Sequence, residues 1–142
     1  MEKFVEILED LIENTGKNLY TIGKESGVSA TQYSRYLNGS IPSLLVAVKI
    51  ANYFECTLDY LFGVESKNYY SGAKEIDLNG FVERYLEVLN KNHTSHYKLC
   101  KKSDLSESNI RHWKNGDIPS MQSLILIADA LPVKIDYLIG RK

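Results

Sequence analysis

The chain has 142 residues, 44% of them hydrophobic and 25% charged, with a formal net charge of −1. That composition belongs to a folded globular protein and excludes a disordered or strongly polybasic chain. Apolar runs such as Leu44-Leu45-Val46-Ala47-Val48 are far too short to cross a bilayer, so no membrane contact is expected. The opening Met-Glu-Lys leads directly into a helical pattern, and no secretory signal is expected. Cys56 and Cys100 share no metal-ligand spacing, and two free thiols suit a reducing, cytoplasmic setting. Charge is uneven along the chain: residues 1–66 hold five Lys/Arg against nine Asp/Glu, a net −4, whereas residues 67–142 hold twelve against nine, a net +3. Any phosphate contacts should therefore be stronger in the second half.

In chain order, Phe4, Ile7, Leu8, Leu11 and Ile12 form the stripe of a first helix that stops near Thr15-Gly16. A second short helix covers about Leu19 to Glu25. Ser29 is placed to cap a third, whose buried face is Val28, Tyr33 and Tyr36 and whose outward face is Ala30, Thr31, Ser34 and Arg35. That helix ends at Asn38-Gly39, where glycine supplies a left-handed stop, with Pro42 shortly beyond. Ser43 caps a fourth helix with the wide apolar face Leu44, Ala47, Val48, Ile50, Ala51 and Phe54, and Thr57 caps a last one, Leu58 to Phe62. No stretch alternates with period two, so no sheet is expected.

The pattern then repeats. An offset of 77 residues aligns the two halves without a gap, matching Phe4-Val5-Glu6 to Phe81-Val82-Glu83 and Asn38-Gly39 to Asn115-Gly116. Ile41-Pro42-Ser43 likewise matches Ile118-Pro119-Ser120, and Asp59-Tyr60-Leu61 matches Asp136-Tyr137-Leu138. Two copies are too few for a solenoid and indicate a duplicated domain. The expected organisation is a first domain over 1–64, a linker over 65–78 and a second domain over 79–142, each domain an all-α bundle of five short helices. In the second copy Ser106 should cap the third helix, with Glu107, Ser108, Arg111 and His112 outward and Trp113 buried in the place of Tyr36. Tyr69 and Tyr70 are unusually apolar for a linker and are expected to lie against a domain.

The series Val28-Ser29, Tyr33-Ser34-Arg35-Tyr36, Asn38-Gly39, Ile41-Pro42-Ser43 and Leu58-Asp59-Tyr60-Leu61, matched again in the second half, resembles the helix-turn-helix of Cro and phage repressors, the XRE family. The resemblance covers nearly all of the chain except the linker. It implies two tandem lambda-repressor-like domains, no enzymatic activity and no cofactor. In that family early residues of the third helix reach base edges, while the start of the second helix and the loop after the third hold phosphates. Carried over by position, the implied DNA contacts of the first copy are Ser29, Ala30, Thr31, Ser34, Arg35 and Asn38. Those of the second are Ser106, Glu107, Ser108, Arg111 and His112, with His96, Lys101, Lys102 and Lys114 nearer the backbone. Arg35 is the best base reader of the first copy, because a guanidinium bonds a guanine edge through two donors.

The function expected is that of a sequence-specific regulator of transcription, repressor-like, acting on double-stranded DNA. The rival reading is a protein-interaction module in which one or both third helices contact a protein partner or a second copy. Weak basicity and the acidic first unit favour the rival, and Leu19, His96, Ser40 and Asp117 stand where the family favours glutamine or a basic residue. His93, His96 and Cys100 have helical spacing, but no fourth ligand is placed, and no metal site is expected. The two domains are expected to dock as a pseudo-dimer with Tyr69 and Tyr70 buried between them and both third helices on one side.

Overall fold

The computed structural model describes residues 2–142; Met1, the first residue of the expected first domain, lies outside them. Among the described residues there is helix and turn but no strand. The chain divides into two compact units, one ending at Ala73 and the other beginning at Lys74.

The first unit holds α1 (Glu2–Thr15), α2 (Leu19–Ser26), α3 (Ala30–Leu37), α4 (Leu44–Phe54) and α5 (Leu58–Leu61). Each helix after the first opens on a polar side chain that accepts from a first-turn N–H: Asn18 from Thr21, Ser29 from Gln32, Ser43 from Val46 and Thr57 from Tyr60. At α3 the cap is reciprocal, because the Gln32 side chain also accepts from the Ser29 backbone N–H at 3.1 Å. Phe4, Leu8, Ile22, Tyr33, Ile50 and Leu61 are fully enclosed, and Phe4 stacks on Phe62 at 4.6 Å between ring centroids. Tyr33 ties α3 to α2 by donating its hydroxyl to Ser26 Oγ at 2.9 Å. Burial pushes its phenol up to about 12, with the Ser26 contact pulling the other way.

The second unit opens with a 3-10 turn, Leu78–Gly80, followed by α6 (Phe81–Lys91), α7 (His96–Lys102), α8 (Asn109–Lys114), α9 (Met121–Ala130) and α10 (Ile135–Leu138). Its core is more aromatic. Trp113 lies edge-on to Phe81 at 5.2 Å and to Tyr85 at 5.5 Å, so α8 is pinned against α6. Tyr85 stands where the first unit has Leu8, and its buried hydroxyl needs a partner. His96, in the place of Leu19, supplies one: Nδ1 lies 2.7 Å from the hydroxyl.

The third helix of the second unit departs from the expectation that Ser106 caps it. The helix starts at Asn109, behind Ser108, which makes no side-chain cap bond, and Glu107 and Ser108 lie in the preceding turn. Two substitutions account for this. A Cβ on Gly23 would stand 3.0 Å from the Val28 carbonyl oxygen and 3.2 Å from the Ala30 nitrogen. Cys100 puts a real Cβ at the equivalent place, so the backbone opposite it cannot close in the same way. In addition, Asn109 replaces Gln32 and is one methylene too short to reach back and complete the reciprocal cap. Consistently, α2 ends on Gly27 at φ 78°, whereas α7 ends on an extended Ser103.

The linker expected over 65–78 is not a free tether. Asn68 accepts from the Thr57 N–H at 3.2 Å and donates to the Glu55 carbonyl at 3.1 Å, holding this stretch to the first unit. Further on, the Lys74 N–H donates to the Lys142 carbonyl and the Asp77 N–H to the Ile139 carbonyl, each at 2.8 Å, so residues 74–77 belong to the second unit. Tyr70 is half-buried, but Tyr69 is 57% exposed, with Lys67 Nζ 5.5 Å from its ring centroid, so the expected burial of both rings is corrected for Tyr69.

Two stability experiments follow. Trp113 is the only tryptophan, so its fluorescence reports on the second unit alone. Trp113→Ala, followed by circular dichroism, should destabilise that unit by about 3–5 kcal/mol, and a melting point close to that of the parent would contradict the packing described. Gly23→Cys should impose on the first unit the defect of the second. The expected cost is about 1–3 kcal/mol, together with lost hydrogen-exchange protection at Gln32 and Tyr33; unchanged protection would remove Cys100 as a cause of the shortened α8.

Candidate nucleic-acid interface

On α3, Tyr33 and Tyr36 face inward, which leaves Thr31, Ser34 and Arg35 exposed and Ala30 half-buried at the first turn. Arg35 makes no side-chain hydrogen bond or ion pair among the described residues, so its guanidinium fork is available to a ligand. The two flanking polar residues have structural duties instead. The Ser29 hydroxyl is engaged by the Gln32 N–H at 3.2 Å, and the Asn38 amide donates to the Ser34 carbonyl at 3.0 Å.

On α8, Arg111 and Lys114 are exposed and free in the same sense, whereas His112 is not. His112 Nδ1 lies 3.2 Å from the Asp117 carboxylate, just beyond the end of the helix. Glu107 is exposed in the turn before α8 rather than on its first turn. Ser106 Oγ and Ser108 Oγ bond each other at 2.8 Å. Of the residues inferred by position for the second copy, the structure therefore leaves Arg111 and Lys114 on the exposed face of α8 with free cationic heads.

His96 is removed from the set of phosphate donors. Its Nε2 lies 3.1 Å from the Ser106 carbonyl oxygen, which can only accept, so Nε2 donates there while Nδ1 pairs with the Tyr85 hydroxyl. Both nitrogens are thus used inside the unit, fastening α7 to α6 and to the turn before α8. Cys100 Sγ lies 3.4 Å from the same Nε2. Burial, with Glu107 nearby, pushes the thiol up. No group of three or more His, Cys, Asp or Glu able to hold a metal occurs among the described residues.

The basic surface of the second unit lies on α7, where Lys98, Lys101 and Lys102 are all exposed. Lys101 Nζ sits 4.9 Å from the ring centroid of Tyr97, itself 57% exposed. The first unit has the same arrangement: Lys24 Nζ is 4.7 Å from the ring of Tyr20, 65% exposed. The sequence signal for this arrangement is the pairing of Tyr20 with Lys24 and of Tyr97 with Lys101, one helical turn apart and identical at the repeat offset. Lys17 is not comparable, being held by Glu25 at 2.8 Å.

No helix among the described residues is long and apolar enough to cross a membrane. Comparison with curated proteins and with solved structures finds no match. The family model described as helix-turn-helix matches twice, over residues 8–61 and 86–138, and each match takes in one complete pair of second and third helices. An exposed, cation-bearing third helix that follows a short second helix, present in both units, agrees with that match. The chain belongs to the helix-turn-helix family, whose domains are DNA-binding regulators rather than enzymes, and carries two copies in tandem.

Proposed function

We propose that the protein is a sequence-specific, repressor-like regulator of transcription that places both third helices against double-stranded DNA. The observation that carries this reading is that Arg35 on α3 and Arg111 on α8 are exposed and free of intramolecular partners. A guanidinium on an exposed recognition helix meets the O6 and N7 acceptors of guanine through two parallel donors. Lys98, Lys101, Lys102 and Lys114 supply charge for phosphates around the second helix-turn-helix. Joining two readers in one chain raises the effective concentration of the second once the first is bound. Half-sites about one helical turn apart, or about 34 Å, are the spacing at which two such domains meet the same side of a duplex.

The reading as a protein-interaction module has its own support in the acids Glu6, Glu9, Asp10 and Glu13, all exposed along α1, and in the His112–Asp117 pair. Salt separates the two. Gel-shift titration of the full chain against genomic fragments should show log K falling steeply with log salt, and Arg35→Ala with Arg111→Ala should reduce the tightest fragment to the affinity of the rest. Absence of duplex binding at low salt would leave the protein-interaction reading standing.

A further inference from the structure

The two units share a scaffold, and they are unlike in exactly those features that decide how a helix-turn-helix uses a duplex. Of the four positions matched by the repeat offset, three differ in chemistry, Ala30 against Glu107, Ser34 against Arg111 and Arg35 against His112, while Thr31 and Ser108 both carry a hydroxyl, and Glu107 and Ser108 lie in the turn before α8. The arginine moves by one residue between copies, which on an α-helix is about 100° around the axis and 1.5 Å along it. The two guanidinium groups are therefore aimed at different base steps in the frame of their own units.

Order at the reading surface differs as well. α3 is a helix of 8 residues with a reciprocal cap, and the buried Tyr33 bonds it to α2. α8 has 6 residues, starts two positions later than α3 without a side-chain cap, and carries the half-buried Ile110 in place of Tyr33. A contact held this firmly discriminates between bases because a wrong base leaves its donors unpaired rather than rearranged. Charge runs the opposite way. Residues 74–142 hold eleven Lys/Arg against nine Asp/Glu, a net +2, whereas residues 1–73 hold six against nine, a net −3. Much of that acidity lies on α1, where it opposes non-specific approach of a phosphate backbone.

Resting on the DNA-binding reading above, we infer that the units divide the work: the first, through Arg35 and Thr31 on α3, selects the base sequence, while the second, through Lys98, Lys101 and Lys102 on α7, supplies sequence-independent grip. The preferred target is then asymmetric. One half is tightly specified, with guanine opposite Arg35 and a thymine methyl within reach of Thr31, and the other half is loosely specified.

The test uses the full chain throughout. A duplex enriched from a random double-stranded library is compared with a scrambled duplex at several salt concentrations. Arg35→Lys keeps the charge and loses the fork. It should cut the preference for the enriched duplex by about ten- to a hundredfold while leaving the salt dependence unchanged. The triple change Lys98→Gln, Lys101→Gln and Lys102→Gln should weaken both duplexes alike and reduce the slope of log K against log salt by about 2–3, with the same sequence still preferred. Circular dichroism of each variant checks that it is folded. A palindromic enriched sequence, or a preference that depends on Arg111→Lys as much as on Arg35→Lys, overturns the division of labour and leaves DNA binding intact. Failure of the parent chain to retain any duplex at low salt overturns the reading beneath it.

Discussion

At Gly23 the backbone of α2 comes so close to the turn before α3 that a single added carbon would stand 3.0 Å from the Val28 carbonyl. That approach sets where α3 begins, because the turn can then present Ser29 in an extended conformation and Gln32 can answer it. The outward face of α3 follows from this start together with the burial of Tyr33 and Tyr36. Everything a ligand would meet on the first unit is thus referred to one close contact between backbones. In the second unit Cys100 occupies the place of Gly23, and the helix is held from its other end by Trp113 and from beneath by the Tyr85–His96 bond. The fold is the same with the exchange, but the third helix starts two positions later.

This exchange links packing to chemistry. His96 is committed to the core of its unit by a tyrosine hydroxyl and a carbonyl, so a residue positioned for a phosphate contact has become part of the support of α8. Asp117 in turn restrains His112. What remains exposed on α8 is mainly cationic, and the lysines of α7 add to it. A surface of lysines binds phosphates with little regard to sequence, whereas a guanidinium among hydroxyls on a capped helix is suited to base edges. The same scaffold carries both kinds of surface within one chain.

Much of this was legible in the sequence, for identifiable reasons. The caps Ser29, Ser43 and Thr57, the apolar stripes and the offset of 77 residues are local signals, and the helices they imply are present in both units. The start of α8 was not legible from Ser106, because a serine cap needs an answering side chain of sufficient length and a turn that can close. Both conditions are set elsewhere, at Asn109 and Cys100. The role of His96 escaped for a similar reason: only the fold brings it against Tyr85, 11 positions earlier in the chain. Composition suggested that residues 65–78 form a linker, and the backbone bonds from Lys74 and Asp77 to Lys142 and Ile139, which tie its far end down, join segments that are distant in sequence.

The claim on which the whole account turns is that the exposed faces of the third helices meet DNA. The most direct measurement is a heteronuclear NMR titration of the full chain with a mixed-sequence duplex of about 20 base pairs, roughly two helical turns, at low salt. The expected result is a set of amide shifts concentrated at 30–35 on α3 and at 97–102 and 111–114 on α7 and α8, with α1, α4 and α9 little changed. Shifts confined to the acidic face of α1, or none with duplex at any ratio, would contradict it.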